Sequence, residues 1–317
     1  MFRLLFMLLS TGSFVILFAF PLKAQVLLKT PKLQGDIVTF PIVLVNGYPF
    51  IPGTINGVTG KFMFDTGLGA SIMLNENYVQ LPNKKSAGGG VTGSGQTFTT
   101  NMNDTIREIK FTNGITYRNL EKIKSGNYDF ILKIITPDFA GFIGYDFFKD
   151  YLFKIDYLHR KITFYKKQRE RYLSKDFLTG EKVLAVIDFE IGKLENHPHV
   201  QLKIAGVNVL GLFDTGQNGY LQLDEASAKR LNEKGIVVIS GTDSGGDTLL
   251  TIKDIVINGK LKATMKGVEA VSYEGTQVIR KQAGLTAANL MTFGFRFLSQ
   301  YKTVWDYGQK KIYVLEY

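Results

Sequence analysis

The chain has 317 residues, enough for two lobes of ordinary domain size, and it contains no cysteine. Cysteine nucleophiles, cysteine-ligated metals and disulfides are therefore excluded. The formal net charge is +10, but the Lys and Arg residues are scattered, so we interpret the excess as a solvated basic surface and expect no nucleic-acid partner. With 33 Gly and only 8 Pro, the composition favours a β-rich chain with many tight turns.

The N-terminal segment is typical of a secretory signal peptide. Arg3 precedes an apolar run from Leu4 to Phe20, Pro21 breaks the run, and Ala24 offers a small residue for cleavage. We predict a signal peptide at residues 1–24, export to the periplasm or the cell exterior, and no stable membrane insertion after cleavage. An uncleaved N-terminal anchor is the alternative, since the run is slightly longer than a typical signal core.

Strand patterns dominate the rest of the chain, and helical patterns are short. We predict strands or hairpins at residues 36–45, 62–64, 154–165, 183–191, 210–213 and 303–315. We predict short helices at residues 146–151, 224–231 and 295–301. The charged segment 166–180 lacks strand periodicity and is interpreted as a connection.

One long pattern occurs twice. Residues 54–67 match residues 203–216 without a gap at an offset of 149, and residues 142–151 match residues 292–301 at an offset of 150. A nearly constant offset over most of each half indicates two homologous lobes. We place them at residues 25–170 and residues 171–317.

Each copy carries an Asp-Thr-Gly motif directly after an apolar strand. The strand holds the carboxylate at the base of a cleft, the threonine hydroxyl can bond to the other lobe's loop, and glycine permits a sharp turn and a close approach. The predicted site residues are Asp65, Thr66, Gly67, Asp214, Thr215 and Gly216.

These motifs resemble the pepsin and retroviral-type aspartic proteases, and residues 142–148 and 155–157 resemble bacterial retropepsin-like domains, here in tandem. The resemblance implies a mostly β, bilobal acid-protease fold: two homologous retropepsin-like β-barrel lobes, few short helices and one cleft. It implies an aspartic endopeptidase in which Asp65 and Asp214 activate a water. Such chemistry takes a peptide or protein substrate and needs no cofactor or metal. We expect a monomer.

Two positions depart from the pepsin pattern, which has Ser or Thr directly after Asp-Thr-Gly. Leu68 cannot donate a hydrogen bond to a carboxylate there, and Gln217 could do so through its amide. Losing a donor raises a carboxylate's pKa, so we predict a pH optimum nearer neutral than pepsin's. The departures also leave open a catalytically inactive binding protein that retains the cleft.

Later segments leave further alternatives. The resemblance also implies, late in each copy, a glycine that follows apolar residues and precedes a short helix. In the second copy this glycine is Gly294 or, alternatively, Gly284, with a longer helix over residues 286–301. Two glycine-rich segments, residues 88–95 and 241–247, lack the Gly-Lys-Ser/Thr ending of a P-loop and are predicted as mobile hairpin flaps, with surface loops as the alternative. The predicted flap residues are Gly93, Ser94, Gly95, Gly245 and Gly246.

The remaining candidates have structural interpretations. His197 and His199 could form half of a zinc site, but no third ligand follows, so we predict no metal. Trp305 is expected in the core. Asp156 and Asp306, at equivalent positions of the repeat, are expected to support turns.

Overall fold

The computed structural model describes residues 31–92 and 95–317. The signal peptide predicted at residues 1–24 lies outside the described residues. Within the described ranges, no helix has both the length and the apolar character needed to cross a membrane.

The described residues form 24 strands. Those of the first half are β1 Ile37–Pro41, β2 Val43–Val45, β3 Tyr48–Ile55, β4 Val58–Phe64, β5 Ile72–Asn75, β6 Lys84–Val91, β7 Thr97–Asn103, β8 Ile106–Phe111, β9 Thr116–Leu120, β10 Ile123–Gly126, β11 Phe139–Ile143, β12 Tyr151–Asp156 and β13 Lys161–Lys166. Those of the second half are β14 Val183–Asp188, β15 Glu190–Ile191, β16 Pro198–Ile204, β17 Val207–Phe213, β18 Tyr220–Gln222, β19 Val237–Thr242, β20 Thr248–Ile257, β21 Leu261–Ala270, β22 Leu290–Phe293, β23 Lys302–Asp306 and β24 Lys311–Leu315.

Helices are few and short in this part of the chain. They are α1 Asp129–Ile134, α2 Tyr145–Phe148, α3 Arg169–Ser174, α4 Glu225–Glu233, α5 Tyr273–Ala283 and α6 Phe295–Leu298, with a 3₁₀ turn at Asp176–Leu178. The predicted short helices at 146–151, 224–231 and 295–301 correspond to α2, α4 and α6, so those predictions are confirmed apart from their ends.

A shared sheet of six strands joins the two halves, in the order β1-β13-β12-β23-β24-β14. Three strands come from each half, and the sequence repeat relates them in reverse order across the centre. The central strands β12 and β23 run antiparallel, with Phe153 opposite Trp305. The predicted hairpins at 154–165 and 303–315 are the pairs β12–β13 and β23–β24.

Each half builds a further sheet of its own. Lobe one is the half that contains a ten-stranded sheet. Nine of its strands lie in the order β6-β7-β10-β5-β11-β4-β3-β8-β9, and the tenth, β2, pairs with β3. Lobe two contains the eight-stranded sheet β15-β16-β17-β22-β18-β21-β20-β19, in which β16 also pairs with β20 and so curls the sheet towards closure. In both lobes the strand leading to Asp-Thr-Gly lies inside the sheet, paired in parallel with β11 or β22.

The apolar core runs continuously from one lobe to the other. Phe64 and Phe213, which end the two motif strands, are fully buried. Trp305 is also fully buried, as predicted, with its ring stacked on Phe153 at a centroid distance of 5.1 Å. This packing fixes the two motif strands relative to each other, because Phe64, Phe213 and Trp305 belong to one buried cluster.

In the second copy, the glycine between the apolar strand and the short helix is Gly294, which follows β22 and precedes α6. The alternative based on Gly284 is wrong: Gly284 lies in the left-handed region (φ 70°) and ends α5, and residues 290–293 form a strand rather than part of a helix. Helix α5 was not predicted, although Ser272 is its N-cap and accepts a hydrogen bond from the Gly275 N–H.

Candidate active site

The two Asp-Thr-Gly loops leave their sheets in the same way. The Asp65 N–H donates to the carbonyl of Ile143 at 2.9 Å, and the Asp214 N–H donates to the carbonyl of Phe293 at 3.2 Å. Both aspartates are therefore anchored at the point where a buried strand ends and its parallel neighbour lies alongside. The repeated sequence produces two equivalent loops that meet between the lobes.

The two threonines hold the loops together. The Thr66 N–H donates to the Thr215 hydroxyl and the Thr215 N–H donates to the Thr66 hydroxyl, both at 3.0 Å. The Thr215 hydroxyl donates in turn to the carbonyl of Phe64 at 2.8 Å. Both side chains are fully buried, so these bonds form without competition from water. The expectation that each threonine bonds across to the other loop is confirmed.

The two glycines allow the carboxylates to come together. A Cβ on Gly67 would lie 2.5 Å from Oδ2 of Asp214, and one on Gly216 would lie 2.4 Å from Oδ1 of Asp65. No side chain fits in either place. Each glycine N–H also donates to the aspartate of its own motif at 2.8 Å, Gly67 to Asp65 and Gly216 to Asp214.

The electrostatics of the pair favour a bound proton. Burial raises the pKa of Asp65 well above its usual range, and the charge of Asp214 and a hydrogen bond with its side chain raise it further. The N–H groups of Gly67 and Leu68 oppose this pKa shift by donating to the charged form. Two carboxyl groups in such proximity share a proton because both cannot ionise at low cost.

Aromatic side chains surround the two carboxyl groups. Tyr307 is buried, its hydroxyl donates to the carbonyl of Asn196 at 3.3 Å, and its ring lies 4.8 Å from that of Tyr145. Burial raises the pKa of Tyr48, and the charges of Glu269, Asp214 and Asp65 raise it further.

The sequence did not predict that Asn196 and His197 lie beside the two aspartate loops. Asn196 is buried, and its amide donates to the carbonyls of Thr66 at 3.1 Å and Gly67 at 2.6 Å, across the lobe boundary. His197 is also buried, and that burial lowers its pKa although the charge of Asp214 opposes the shift. The repeat offset of 149 could have indicated this segment, because it aligns His197-Pro198 with Tyr48-Pro49 of the first copy.

The departures at Leu68 and Gln217 have different surroundings. Leu68 packs against an apolar cluster that includes Phe98, Tyr128 and Phe142, so its side chain forms part of a wall of lobe one. Gln217 meets α6 through its carbonyl oxygen, which accepts from the Phe295 N–H at 2.9 Å. The same contact recurs in lobe one, where the Leu68 carbonyl accepts from the N–H of the residue that follows Gly144.

Both glycine-rich segments lie in β-hairpins. The first is the hairpin β6–β7, whose Phe98 ring packs on Tyr128 at 4.9 Å and so reaches the apolar wall. Gly95 lies in its turn at φ 91°, whereas Gly93 and Ser94 fall outside the described residues. The hairpin β19–β20 carries Gly245 and Gly246, with Asp243 Oδ1 accepting from the Gly245 N–H at 2.8 Å.

Asp156 and Asp306, the other candidates from the sequence, have structural partners. Asp156 accepts from the His159 N–H, and Asp306 from the N–H groups of Gly308 and Gln309, which supports the turns as predicted. Across residues 31–92 and 95–317, no group of three or more His, Asp or Glu side chains could hold a metal ion.

Comparison with known proteins addresses the fold. No family model matches the chain, and no curated protein matches it in sequence. Among solved structures, the chain is similar to basic 7S globulin from soybean, with a TM-score of 0.50 and 11% sequence identity over 88% of this chain and 95% of that chain. The fold is therefore the mostly β, bilobal fold of the pepsin-like proteins, which confirms the predicted fold class. The finer resemblance to retropepsin-like domains stays a prediction.

Proposed function

We propose that this chain is an exported aspartic endopeptidase that hydrolyses peptide bonds with a water activated between Asp65 and Asp214. The observation that carries the proposal is the opposition of two carboxyl groups, each in contact with the other motif's glycine and joined by a hydrogen bond. Such a pair can hold one proton and one negative charge between its two carboxyl groups, which suits acid and base catalysis in one step.

The proposed chemistry uses both carboxyl groups at once. The ionised group takes a proton from the water, while the protonated group donates a hydrogen bond to the oxygen of the scissile carbonyl. The water oxygen bonds to the carbonyl carbon while the protonated group passes its proton to the carbonyl oxygen, which gives a neutral gem-diol and exchanges the protonation states of the two carboxyl groups. On collapse the C–N bond breaks, the newly protonated group gives its proton to the leaving amine, and a hydroxyl of the gem-diol returns a proton to the other group. The dyad returns to its starting charge, so the sequence balances without a cofactor.

The surroundings of the dyad favour an extended peptide or protein as the substrate. The lobe-one wall of Leu68, Phe98 and Tyr128 is apolar, and the hairpin β6–β7 that carries Phe98 would serve as the flap. We propose a monomer of two lobes, residues 25–170 and 171–317, acting in the periplasm or outside the cell after removal of residues 1–24.

The test compares wild-type protein with Asp65→Ala and Asp214→Ala on a library of denatured proteins, with released peptides identified by mass spectrometry. We expect peptides from the wild type and none from either variant. Release of the same peptides by all three proteins would overturn the proposal.

A noncatalytic peptide-binding protein is the second candidate. It is favoured by Leu68, which leaves Asp65 without the hydroxyl donor of the pepsin pattern, and by the similar fold of a protein named as a globulin. In that case neither the wild type nor any variant releases peptides, but the wild type retains peptides on a resin, and substitutions that change the shape of the cleft weaken the retention.

A membrane-tethered processing enzyme is a variant of the first candidate. It differs only in whether residues 1–24 stay attached. N-terminal sequencing of the protein recovered from its native host distinguishes the two: a start near Gln25 indicates release, and a start at Met1 indicates a tether.

A further inference from the structure

One peptide unit bridges the two carboxyl groups. The N–H of Gly67 donates to Oδ1 of Asp65 at 2.8 Å and also to Oδ1 of Asp214 at 3.2 Å. Its counterpart, the N–H of Gly216, donates to Asp214 at 2.8 Å. The peptide between Thr66 and Gly67 therefore contacts both members of the pair.

The opposite end of the same peptide unit is held from lobe two. The carbonyl of Thr66 accepts from the Asn196 amide at 3.1 Å, and that amide also donates to the Gly67 carbonyl at 2.6 Å. Asn196 is 6% exposed and lies in the turn before β16, where its own carbonyl accepts from the buried Tyr307 hydroxyl. Both the amide and the turn that carries it are thus fixed.

The equivalent turn of lobe one has no such donor, because glycine stands there. The repeat places Gly47 over Asn196, and Gly47 lies against the second loop, where a Cβ would be 2.5 Å from Asn218 Oδ1 and 2.6 Å from the Phe295 ring. Both turns therefore contact the opposite lobe's loop, but only the turn of lobe two carries a side-chain amide at this position. The pair of carboxylates is supported asymmetrically.

We propose that Asn196 is a positioning residue for the catalytic pair, because it orients and polarises the Thr66–Gly67 peptide whose N–H bridges Asp65 and Asp214. This proposal rests on the proposed function. A hydrogen bond donated to a peptide carbonyl strengthens the N–H of the same unit as a donor. A stronger donor favours the ionised carboxylate. Asn196 thereby compensates for the side-chain hydroxyl donor that is absent at Leu68.

The test replaces the amide and follows the ionisation of the pair. We expect Asn196→Leu, which keeps the side-chain volume, and Asn196→Ala to move the acid limb of the kcat/KM profile to higher pH by about half a unit. We expect kcat to fall about tenfold, the equivalent of one hydrogen bond. The same pH shift is expected in the ¹³C NMR titration of the aspartate carboxyl carbons, which needs no turnover.

Asn289→Ala is the matched control. Asn289 is also 6% exposed, and its amide donates to the Asn208 carbonyl at 3.2 Å, away from the pair. We expect a similar loss of thermal stability and no change in the pH profile or the titration. Agreement between the Asn196 and Asn289 variants in both readouts would overturn the proposal.

Other titratable groups interact electrostatically with the pair and must be separated from this effect. They are Tyr48, Tyr128, Tyr157, His197, Tyr220 and Tyr307. Burial raises the pKa of every one of these tyrosines, so the groups that could ionise within the acid limb are His197 and the carboxyl group of Glu269, whose charge also acts on Tyr48. The Asn196 variants are therefore repeated with His197→Gln and with Glu269→Gln, where the shift should persist. If wild-type protein cleaves nothing but its titration still responds to Asn196, the proposed function fails, and the effect of Asn196 on the ionisation of the two carboxyl groups stands without it.

Discussion

The two lobes repeat one sequence pattern and yet surround the shared site differently. In lobe one, Leu68 lies against an aromatic wall and the loop carbonyls are held by Asn196. In lobe two, Gln217 replaces Leu68, and the hairpin tip carries acidic Asp243. What the repeat keeps is the frame of two strands, two carboxyl groups and two glycines. What it varies is the set of side chains that surrounds this frame.

The largest effect is expected where the lobes are most alike. Gly67→Ala and Gly216→Ala each place a methyl group within 2.5 Å of the opposite carboxylate, so either should lower kcat/KM by about 10³-fold, the scale of acid–base catalysis. Peptide-cleavage kinetics measure the loss. Gly69→Ala is the control, because its nearest neighbour would be 3.9 Å away. A large difference in kcat/KM between the Gly67→Ala and Gly216→Ala variants would show that the two loops do not contribute equally.

The threonine bridge should respond from either side, with the larger loss at Thr215, whose hydroxyl also donates to the Phe64 carbonyl. Thr66→Val and Thr215→Val each leave buried partners without a hydrogen bond, which should cost about 1–3 kcal/mol of unfolding free energy in urea titrations. Thr163→Val, which breaks an exposed threonine pair, should cost little. If the bridge variants match that control, the bridge does not hold the lobes together.

Asp65 should destabilise the fold at neutral pH. Its pKa is raised in the folded protein, so its favourable contribution is complete below the unfolded-state pKa and is lost as pH rises through the folded-state pKa. Asp65→Asn should therefore raise the Tm at pH 7, by about 2–4 °C for each kcal/mol relieved, and the gain should shrink in acid. A Tm gain that grows as pH falls would contradict the sign.

The smallest effect concerns the residue after each motif. Leu68→Ser and Gln217→Ser both add a hydroxyl donor, so each should stabilise the ionised form of the pair and move the acid limb of the pH–rate profile to lower pH. Leu68→Ser should also cost about 1–2 kcal/mol of stability, because Leu68 packs on the aromatic wall. Unchanged pH profiles in both variants would show that the predicted near-neutral optimum has another cause.

The sequence alone predicted the two-lobed repeat, the pairing of the two aspartates and the main hairpins. The offset of 149 residues pairs Asp65 with Asp214 without any structural information, and strand periodicity locates the hairpins β12–β13 and β23–β24. These features depend on local patterns and on copying, which a single sequence displays.

Contacts between distant segments that the repeat does not relate to each other could not be predicted in this way. The amide of Asn196 reaches Thr66 across 130 residues of chain, and nothing in the local pattern around Asn-His-Pro-His indicates which loop it meets. Helix α5 was missed for another reason. Gly275 and the β-branched Thr276 and Val278 weaken its helical signal, while tertiary packing of Ile279 stabilises it.

The central claim is that two copies of a lobe form one catalytic unit in which neither aspartate suffices. A double-mutant cycle of Asp65→Asn and Asp214→Asn, measured as kcat/KM on one peptide, tests it most directly. The account predicts that each single variant loses nearly as much activity as the double variant, because the effects of groups that act as a unit are not additive. Losses that multiply independently, or one variant that retains activity, would contradict it.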